Sequence, residues 1–164
     1  EMVQLWINLP KKNKMTKPKY QEISNKDIPN ILLGENTKLR VIAGTYKGQK
    51  GPSSTFTEIN LYDIISNENK KISLKFKNGT NTVILIMSGE LEIENQTFKD
   101  KNILIFEQEG NEVAFKVANN FKGLILNGDP IDEPIVAHGP FVMNTKEEIY
   151  QAFFDYQNGK MGRL

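Results

Sequence analysis

The 164-residue sequence has no cysteine and a single histidine, His138. The absence of cysteine excludes disulfides, thiolate metal sites and cysteine nucleophiles, and it is typical of proteins in a reducing compartment. An oxygenase-type iron site needs two histidines and a carboxylate, and a zinc site needs a tetrahedron of His, Cys or carboxylate ligands. One histidine therefore excludes both kinds of site within a single protomer.

The sequence also lacks long apolar runs and an excess of charge of one sign. No run approaches the ~20 apolar residues of a membrane helix, and no signal-peptide pattern is present. Lys and Arg number 21 against 20 Asp and Glu, a formal net charge of +1. This balance is unlike a surface that follows nucleic-acid phosphates. We expect one soluble, cytoplasmic domain that binds neither nucleic acid nor membranes directly.

Common enzyme motifs are missing as well. The chain contains no G-x-S-x-G nucleophile elbow, no G-x-G-x-x-G turn and no phosphate-binding loop. Two interpretations of His138 stay open. It is either a catalytic base or a neutral, buried histidine that hydrogen-bonds between apolar residues 135–137 and the rigid turn of Gly139 and Pro140. The neighbouring residues favour the buried histidine.

Paired carboxylates are the remaining catalytic candidate. Glu90, Glu92 and Glu94 share one face of a predicted strand, about 6.6–6.8 Å apart per step. This spacing is compatible with acid and base pairing. The intervening Leu91 and Ile93 instead favour a row of glutamates that faces solvent.

The sequence is rich in short β-type patterns. Residues 71–77 alternate, with Ile72, Leu74 and Phe76 facing inward and lysines outward, as in a half-buried strand. Residues 83–87 are apolar on both faces and predict a central strand. Further strands are predicted at 3–9, 39–43, 55–65, 90–94, 103–106, 113–117 and 124–126, with a glycine-rich loop at 44–52. Close turns without βαβ alternation indicate a mainly β sandwich or barrel.

One helix is predicted near the end of the sequence. Thr145 and Glu148 fit a capping box, and Gly159 supplies a stop signal. Apolar side chains recur between them at helical spacing, at Ile149, Ala152, Phe153 and Tyr156. Phe154 lies off this stripe, and two interpretations stay open for it: a contact with another domain or subunit, or a locally covered side chain.

The first twenty residues combine a strand pattern with a basic, polar stretch. Residues 3–9 alternate, and Pro10 ends the pattern. The apolar face carries Val3, Leu5, Ile7 and Leu9. Residues 11–19 are predicted to form a linker.

Two segments together resemble the pirin family of the cupin superfamily. They are 4-QLWINLPKKNKMTKPKYQ-21 and, more specifically, 127-NGDPIDEPIVAHGPFVMNTKEEIYQAFFDYQNGKMG-162. Residues 84–93 are similar to the central hairpin of a cupin barrel. The resemblance covers nearly the whole chain. It implies a mainly β fold, a cupin-like jelly-roll barrel with a C-terminal α-helix.

The same resemblance implies a division of the chain. Residues 1–20 would be a strand and linker left over from a preceding barrel, residues 21–136 the barrel, and residues 137–164 a turn and a helix packed on the barrel. The family-signature residues, with a structural role, would be His138, Gly139, Pro140, Phe141 and Asn144.

Pirins have two barrels, and the resemblance covers only the second. Family members bind iron in the first barrel through three histidines and a glutamate, in motifs ahead of the Gln-Leu-Trp strand. This sequence contains none of those motifs. The resemblance therefore implies no metal and no cofactor in this chain, with iron expected only in the N-terminal barrel.

The Gln-Leu-Trp strand ends the first barrel in pirins, so residues 2–9 would have no native sheet to join. An unpaired apolar strand exposes backbone N–H and C=O groups that pair readily with another chain. We expect residues 2–9 to pair with an N-terminal pirin barrel or with a second copy in a homodimer, or to fold back onto the chain's own sheet edge. The predicted interface residues are Leu5, Trp6, Ile7 and Phe154.

The resemblance implies two main functions. Family members are associated with quercetin 2,3-dioxygenase activity in bacteria and with transcription cofactor roles in eukaryotes. The first hypothesis is a metal-free cupin domain that acts as a binding, interaction or structural module. The alternative is part of a quercetin 2,3-dioxygenase-type pirin whose iron barrel lies outside this chain. A third hypothesis is a small apolar ligand bound inside the barrel without chemistry.

Overall fold

A computed structural model describes residues 2–161, which fall into two compact units. One unit consists of residues 20–130. The other joins residues 2–19 with residues 131–161. The sequence does not indicate that the two ends of the chain share a unit.

Strands occupy nearly half of the chain up to residue 143, and one α-helix follows. The strands are β1 Asn30–Leu32, β2 Thr37–Ala43, β3 Thr45–Tyr46, β4 Gln49–Lys50, β5 Ile59–Ser66, β6 Lys70–Lys75, β7 Asn81–Ser88, β8 Glu90–Ile93, β9 Gln96–Lys99, β10 Ile103–Phe106, β11 Glu112–Val117, β12 Phe121–Gly128, β13 Val136–His138 and β14 Phe141–Met143. The helix α1 is Lys146–Gln157, and short 3-10 turns lie at Lys11–Asn13 and Asn25–Asp27. Within residues 2–161, no helix is long and apolar enough to cross a membrane.

Two antiparallel sheets form the unit of residues 20–130. The larger has the strand order β1-β2-β5-β12-β7-β10, and the smaller has the order β6-β11-β8-β9. Strand β7 lies between β12 and β10, as its apolar character on both faces predicts. The mainly β fold with a single C-terminal helix is confirmed.

The hydrophobic core lies between these sheets. The larger sheet contributes Leu39, Val41, Tyr62, Ile64, Ile84, Ile86, Phe121 and Ile125, and the smaller contributes Ile72, Leu74, Leu91, Phe115 and Val117. Each is at most 3% exposed, so hydrocarbon fills the space. Burial of one such side chain contributes roughly 1.5–3 kcal/mol. The inward face predicted for β6 is confirmed for Ile72 and Leu74, and Phe76 packs partly buried against the core.

Two local predictions for this unit need correction. The glycine-rich loop contains the hairpin of β3 and β4, whose turn places Lys47 at φ 46° and Gly48 at φ 78°. Positive φ at both central residues is typical of the type I′ turn that joins twisted strands. The strand predicted from residue 55 begins only at Ile59, because the Thr55 hydroxyl donates to the Thr57 carbonyl (2.6 Å) and favours a local bend.

The second unit contains a hairpin of β13 and β14 and the helix α1. The capping box is confirmed: the Thr145 hydroxyl accepts from the Glu148 amide (3.2 Å), and the Glu148 carboxylate accepts from the Thr145 amide (3.1 Å). Ile149 and Ala152 are buried as predicted, and Phe153 is partly buried.

The last turn of the helix differs from the predicted stripe. Tyr156 is exposed and Asp155 is buried instead. The hairpin reaches Tyr156 through the Phe141 ring, with centroids 6.2 Å apart, and leaves Tyr156 64% exposed. The Asp155 carboxylate is tolerated there because it accepts from Lys160 Nζ (3.1 Å) and Gln151 Nε2 (2.9 Å).

The strand predicted at residues 3–9 is absent. In the part of the chain that the structure describes, these residues join no sheet, so the expected fold-back onto the chain's own sheet edge is wrong. The physical reason is that a strand's backbone groups need a neighbouring strand, which the sequence pattern alone does not supply. The predicted linker that follows begins with the 3-10 turn Lys11–Asn13.

We expect Leu74→Ala to lower the free energy of unfolding by about 2–5 kcal/mol, because it leaves a cavity in a fully buried site. Urea unfolding followed by circular dichroism measures the change. Lys71→Ala, on the exposed face of the same strand, is the matched control and should change stability by less than about 0.5 kcal/mol. Equal effects of the two substitutions would contradict the described core.

Candidate interaction surface

The predicted signature residues lie in and beside the β13–β14 hairpin. His138 pairs with Phe141 across the strands, and Gly139 and Pro140 form the two-residue turn. Gly139 has φ 56°, in the left-handed region that glycine adopts without strain, and the proline ring fixes the next φ. The turn therefore forms from its own backbone preferences.

The prediction of a buried, hydrogen-bonded His138 was wrong. The imidazole is exposed, and within residues 2–161 it makes no hydrogen bond that would orient it for catalysis. Its ring meets the Phe153 ring edge to face, with centroids 5.3 Å apart. Burial was inferred from the apolar residues before it, but Ile135 and Ala137 are themselves exposed on this thin hairpin.

Phe153 is the centre of an aromatic cluster between the hairpin and the helix. It contacts Phe141 at 4.9 Å as well as His138, and Phe141 reaches Tyr156 at 6.2 Å, all edge to face. Such pairs contribute about 0.5–1.5 kcal/mol beyond the area they bury. His138 and Phe141 thus act in this structure as packing residues that fix the hairpin on the helix.

Asn144 is the most deeply buried of the signature residues. Its side chain is buried, and its Nδ2 donates to Glu133 Oε2 (3.1 Å) and to the Pro134 carbonyl (2.9 Å). Its backbone amide donates to Glu148 Oε2 (2.9 Å). Asn144 therefore fastens the segment before the hairpin to the start of the helix.

Lys11 extends the same network to the N-terminal segment. Its backbone amide donates to Glu133 Oε2 (2.6 Å), and its ammonium lies 3.1 Å from Glu148 Oε1. Lys11, Glu133, Asn144 and Glu148 thus form a closed ring of contacts, which we call the anchor network. The capping box indicates Glu148 in the sequence, but Glu133 and Lys11 carry no local signal because their partners are distant in the chain.

Hydrogen bonds favour the ionised forms of two carboxylates in this unit. The Asn144 amide, followed by Lys11, lowers the pKa of Glu148 below its ordinary value. Lys160, followed by Gln151, lowers the pKa of Asp155 in the same way. The charge of Glu148 also suits its place in the first turn of a helix.

Residues 2–9 directly precede the anchor network, and most of them are exposed. Trp6 is 77% exposed and Ile7 is 53% exposed, and Leu5 is also exposed. Beside them lies a groove of ≈790 Å³, lined by Trp6, Ile7, Met15, Phe141, Val142 and Met143, with Lys14, Lys17 and Lys160 among its polar residues. The predicted interface residues Leu5, Trp6 and Ile7 are therefore accessible to a partner.

Phe154 lies on the outer face of the helix. It is 56% exposed, and the Lys160 ammonium lies over its ring at 5.5 Å. The structure therefore favours an accessible side chain over a fully covered one. Its role in an interface stays a prediction.

Glu90 and Glu92 lie on β8 and face away from the core, as the alternation favours, whereas the prediction is wrong for Glu94, which lies in the turn after the strand at φ 50°. Glu90 forms an ion pair with Lys99 (3.3 Å), and Glu92 forms one with Lys116 (3.5 Å), both across neighbouring strands. These are exposed cross-strand pairs of small energetic effect. Nothing in this arrangement resembles a catalytic pair of carboxylates.

A buried polar cluster lies at one end of the space between the two sheets. Asn127 Nδ2 donates to Thr80 Oγ1 (2.7 Å) and Thr82 Oγ1 (2.9 Å), and its Oδ1 accepts from Asn60 (2.9 Å). The Tyr62 hydroxyl donates to the Thr45 carbonyl (2.8 Å), and burial raises the pKa of Tyr62 to about 12. These groups satisfy one another, so the cluster is a structural one.

The chain was compared with known protein families after this geometry was established. The Pirin C-terminal cupin domain family matches residues 61–162, well over half of the chain. The chain belongs to the pirin family. The resemblance of its sequence is thereby confirmed.

Individual relatives give the same result. The chain is 35% identical to a pirin-like protein of Solanum lycopersicum and 32% identical to pirin of Homo sapiens, in both cases over 98% of its length. The crystal structure of a quercetin 2,3-dioxygenase from Acinetobacter baumannii superimposes with a TM-score of 0.88 and is 40% identical over 96% of this chain. The chain spans only 56%, 57% and 55% of these three pirin relatives, respectively.

An iron site does not fit the described residues of this pirin domain. The side chains between the sheets are hydrocarbon, or they are hydroxyl and amide groups with hydrogen-bond partners in the protein, as in the polar cluster and the Thr37–Ser66 pair (2.7 Å). His138 lies on the hairpin of the other unit. Across residues 2–161, no group of three His, Cys, Asp or Glu side chains could hold a metal ion. We therefore derive no metal-dependent step for this chain, and the absence of a cofactor stays a prediction.

We expect the anchor network to make the stability of the second unit pH-dependent. Because the pKa of Glu148 is lowered on folding, its contribution is complete above the ordinary carboxyl pKa and is lost as pH falls through the folded value. Glu148→Gln should therefore destabilise the chain at pH 7 and have a smaller effect near pH 3. Thermal unfolding at both pH values measures the difference.

Glu147→Gln is the matched control, since Glu147 lies exposed in the same first turn and removes the same charge next to the helix N-terminus. Its effect should be smaller at pH 7 because it takes no part in the anchor network. An equal, pH-independent loss for both variants would contradict a specific role of Glu148.

Proposed function

We propose that this chain acts as a metal-free pirin C-terminal cupin domain, a binding and structural module rather than a catalytic one. The observation that carries the proposal is the exposed segment of residues 2–9, which directly precedes the anchor residue Lys11, together with a filled space between the sheets. Residues 2–9 offer an exposed surface to a partner. Among the described residues, no group of three His, Cys, Asp or Glu side chains could hold a metal ion. A small apolar ligand between the sheets would have to displace packed core side chains.

The proposed partner of residues 2–9 is a sheet of a preceding cupin barrel. Three features support this choice: the β-type alternation of the segment, the absence of a partner strand for it within residues 2–161, and the greater length of its relatives. The family matched is a C-terminal domain, so the additional length of those relatives is expected ahead of it. A second copy of this chain is the other candidate partner.

Trp6 supplies a direct test, because it is the only tryptophan and it is largely exposed. We expect its fluorescence emission to shift to shorter wavelength when the chain is mixed with the N-terminal half of a full-length pirin, since pairing removes the indole from water. A shift that depends only on the concentration of this chain would identify a second copy as the partner. No shift in either experiment would contradict the proposal.

Leu5→Lys combined with Ile7→Lys should abolish the shift by placing charges on the apolar face of the segment. Gln4→Lys is the matched control, because it adds a charge to the alternate face of the same segment. Loss of the shift in both variants would indicate a charge effect rather than pairing through Leu5 and Ile7.

The second candidate function is a part of a quercetin 2,3-dioxygenase-type pirin. The observation behind it is the similarity to the Acinetobacter baumannii enzyme at 40% identity. In that case the iron and the reacting groups would belong to a barrel outside this chain. The chain would then contribute stability and a covering surface to the whole enzyme.

Iron content separates the chain's own chemistry from that of a longer protein. We expect the purified chain to hold far less than one iron per molecule after growth in iron-supplemented medium, and to leave quercetin unchanged. Mass spectrometry of the metal content and the absorbance of quercetin measure these two quantities. Stoichiometric iron that a His138→Ala variant loses would contradict the proposed metal-free module.

A further inference from the structure

The groove beside residues 2–9 combines an apolar lining with positive charge. Its volume of ≈790 Å³ lies within the range of about 300–1,000 Å³ that is typical of small-molecule sites. Trp6, Met15, Val142 and Met143 contribute to its apolar lining. The charged residues of the lining are all lysines, since the described residues place no aspartate or glutamate in it. A ligand that complements this groove therefore has an apolar body and a negative charge.

Two of these lysines carry charge that no carboxylate neutralises. Lys14 Nζ donates to the neutral side-chain oxygen of Asn8 (2.6 Å), and in the described part of the chain neither Lys14 nor Lys17 forms an ion pair. Lys160 differs, because its ammonium lies 3.1 Å from the Asp155 carboxylate. Lys14 and Lys17 are therefore the groups available to an anionic ligand.

Methionines make the apolar lining adaptable. Met15, Met143 and Met161 line the groove, three of the five methionines of the sequence. Methionine side chains are unbranched and polarisable, so they adapt to ligands of irregular shape. Trp6 adds a large, mostly exposed indole ring. These side chains suit a flexible hydrocarbon chain better than a rigid polar ligand.

We propose that this groove binds a free long-chain carboxylate, with the hydrocarbon chain against the methionines and Trp6 and the carboxylate beside Lys14 and Lys17. Removal of hydrocarbon from water would supply most of the affinity, and the two ammonium groups would select an anion. The concave shape favours a single small molecule over a lipid surface. The site goes beyond the proposed function, because it needs neither a preceding barrel nor a second copy.

The fluorescence of Trp6 tests the proposal on the whole chain, because this single tryptophan lines the groove. The probe is dodecanoate, titrated at about pH 8, where its carboxylate is ionised, and below the concentration at which it forms micelles. We expect a saturable shift of the emission to shorter wavelength. Butanoate, with the same head and a shorter chain, should give no shift. Dodecyltrimethylammonium, with the same chain and a positive head, should bind more weakly than dodecanoate.

Lys14→Gln combined with Lys17→Gln should weaken dodecanoate binding by about tenfold, because it removes both available charges at the groove. Lys12→Gln combined with Lys19→Gln is the matched control, since it removes two exposed charges of the same segment that lie outside the groove lining. The affinity of the control should stay within about twofold of the original chain. Equal losses in the two variants would indicate a general effect of charge and would contradict the proposed site.

Met15→Glu should also weaken dodecanoate binding by about tenfold or more, because it places a carboxylate in the apolar lining and repels the anion. Met2→Glu is the matched control, since Met2 is an exposed methionine outside the groove lining. Circular dichroism of every variant checks that it folds.

Four outcomes would overturn this proposal. They are the absence of a saturable shift with dodecanoate, equal binding of dodecanoate and dodecyltrimethylammonium, an unchanged affinity in the Lys14 and Lys17 variant, and binding to phosphatidylglycerol vesicles without binding of dodecanoate. The last result would assign the groove to a lipid surface. None of these measurements uses the N-terminal half of a pirin, so their failure would leave the pairing proposed for residues 2–9 standing.

Discussion

The anchor network is the interaction on which the accessible surface of this chain depends. Lys11 and Asn144 meet on Glu133, and both also contact Glu148, so one ring of hydrogen bonds joins the N-terminal segment, the segment before the hairpin and the helix start. The carboxylates of Glu133 and Glu148 accept every contact of the network. Electrostatic as well as hydrophobic interactions therefore stabilise this unit.

Different interactions stabilise the two units. The unit of residues 20–130 buries the inner faces of two sheets in a hydrocarbon core, and its buried polar groups satisfy one another. The unit at the two ends of the chain is thin, and aromatic contacts around Phe153 replace a true core. A thin unit leaves apolar side chains exposed, which explains why the accessible apolar surface includes Trp6 and Phe154. The chain spans only 57% of the human pirin that it matches.

Unpaired backbone is the feature that residues 2–9 and β10 share. Residues 2–9 join no sheet in the described part of the chain, and β10 is an edge strand with one open side. They differ in what surrounds them: residues 2–9 directly precede a polar anchor and lie beside a groove, whereas β10 belongs to a rigid sheet.

Local patterns in the sequence determined most strands of the two sheets and the capping box at Thr145, because alternation and capping are local properties. Only the tertiary structure decided the rest. Residues 3–9 carry a strand pattern but have no neighbouring strand, and His138 follows apolar residues that a thin hairpin leaves exposed. Asp155 replaces Tyr156 on the buried face because Lys160 and Gln151 reach it. The joining of Lys11 to Glu133, 122 residues away, depends on a contact that no local pattern encodes.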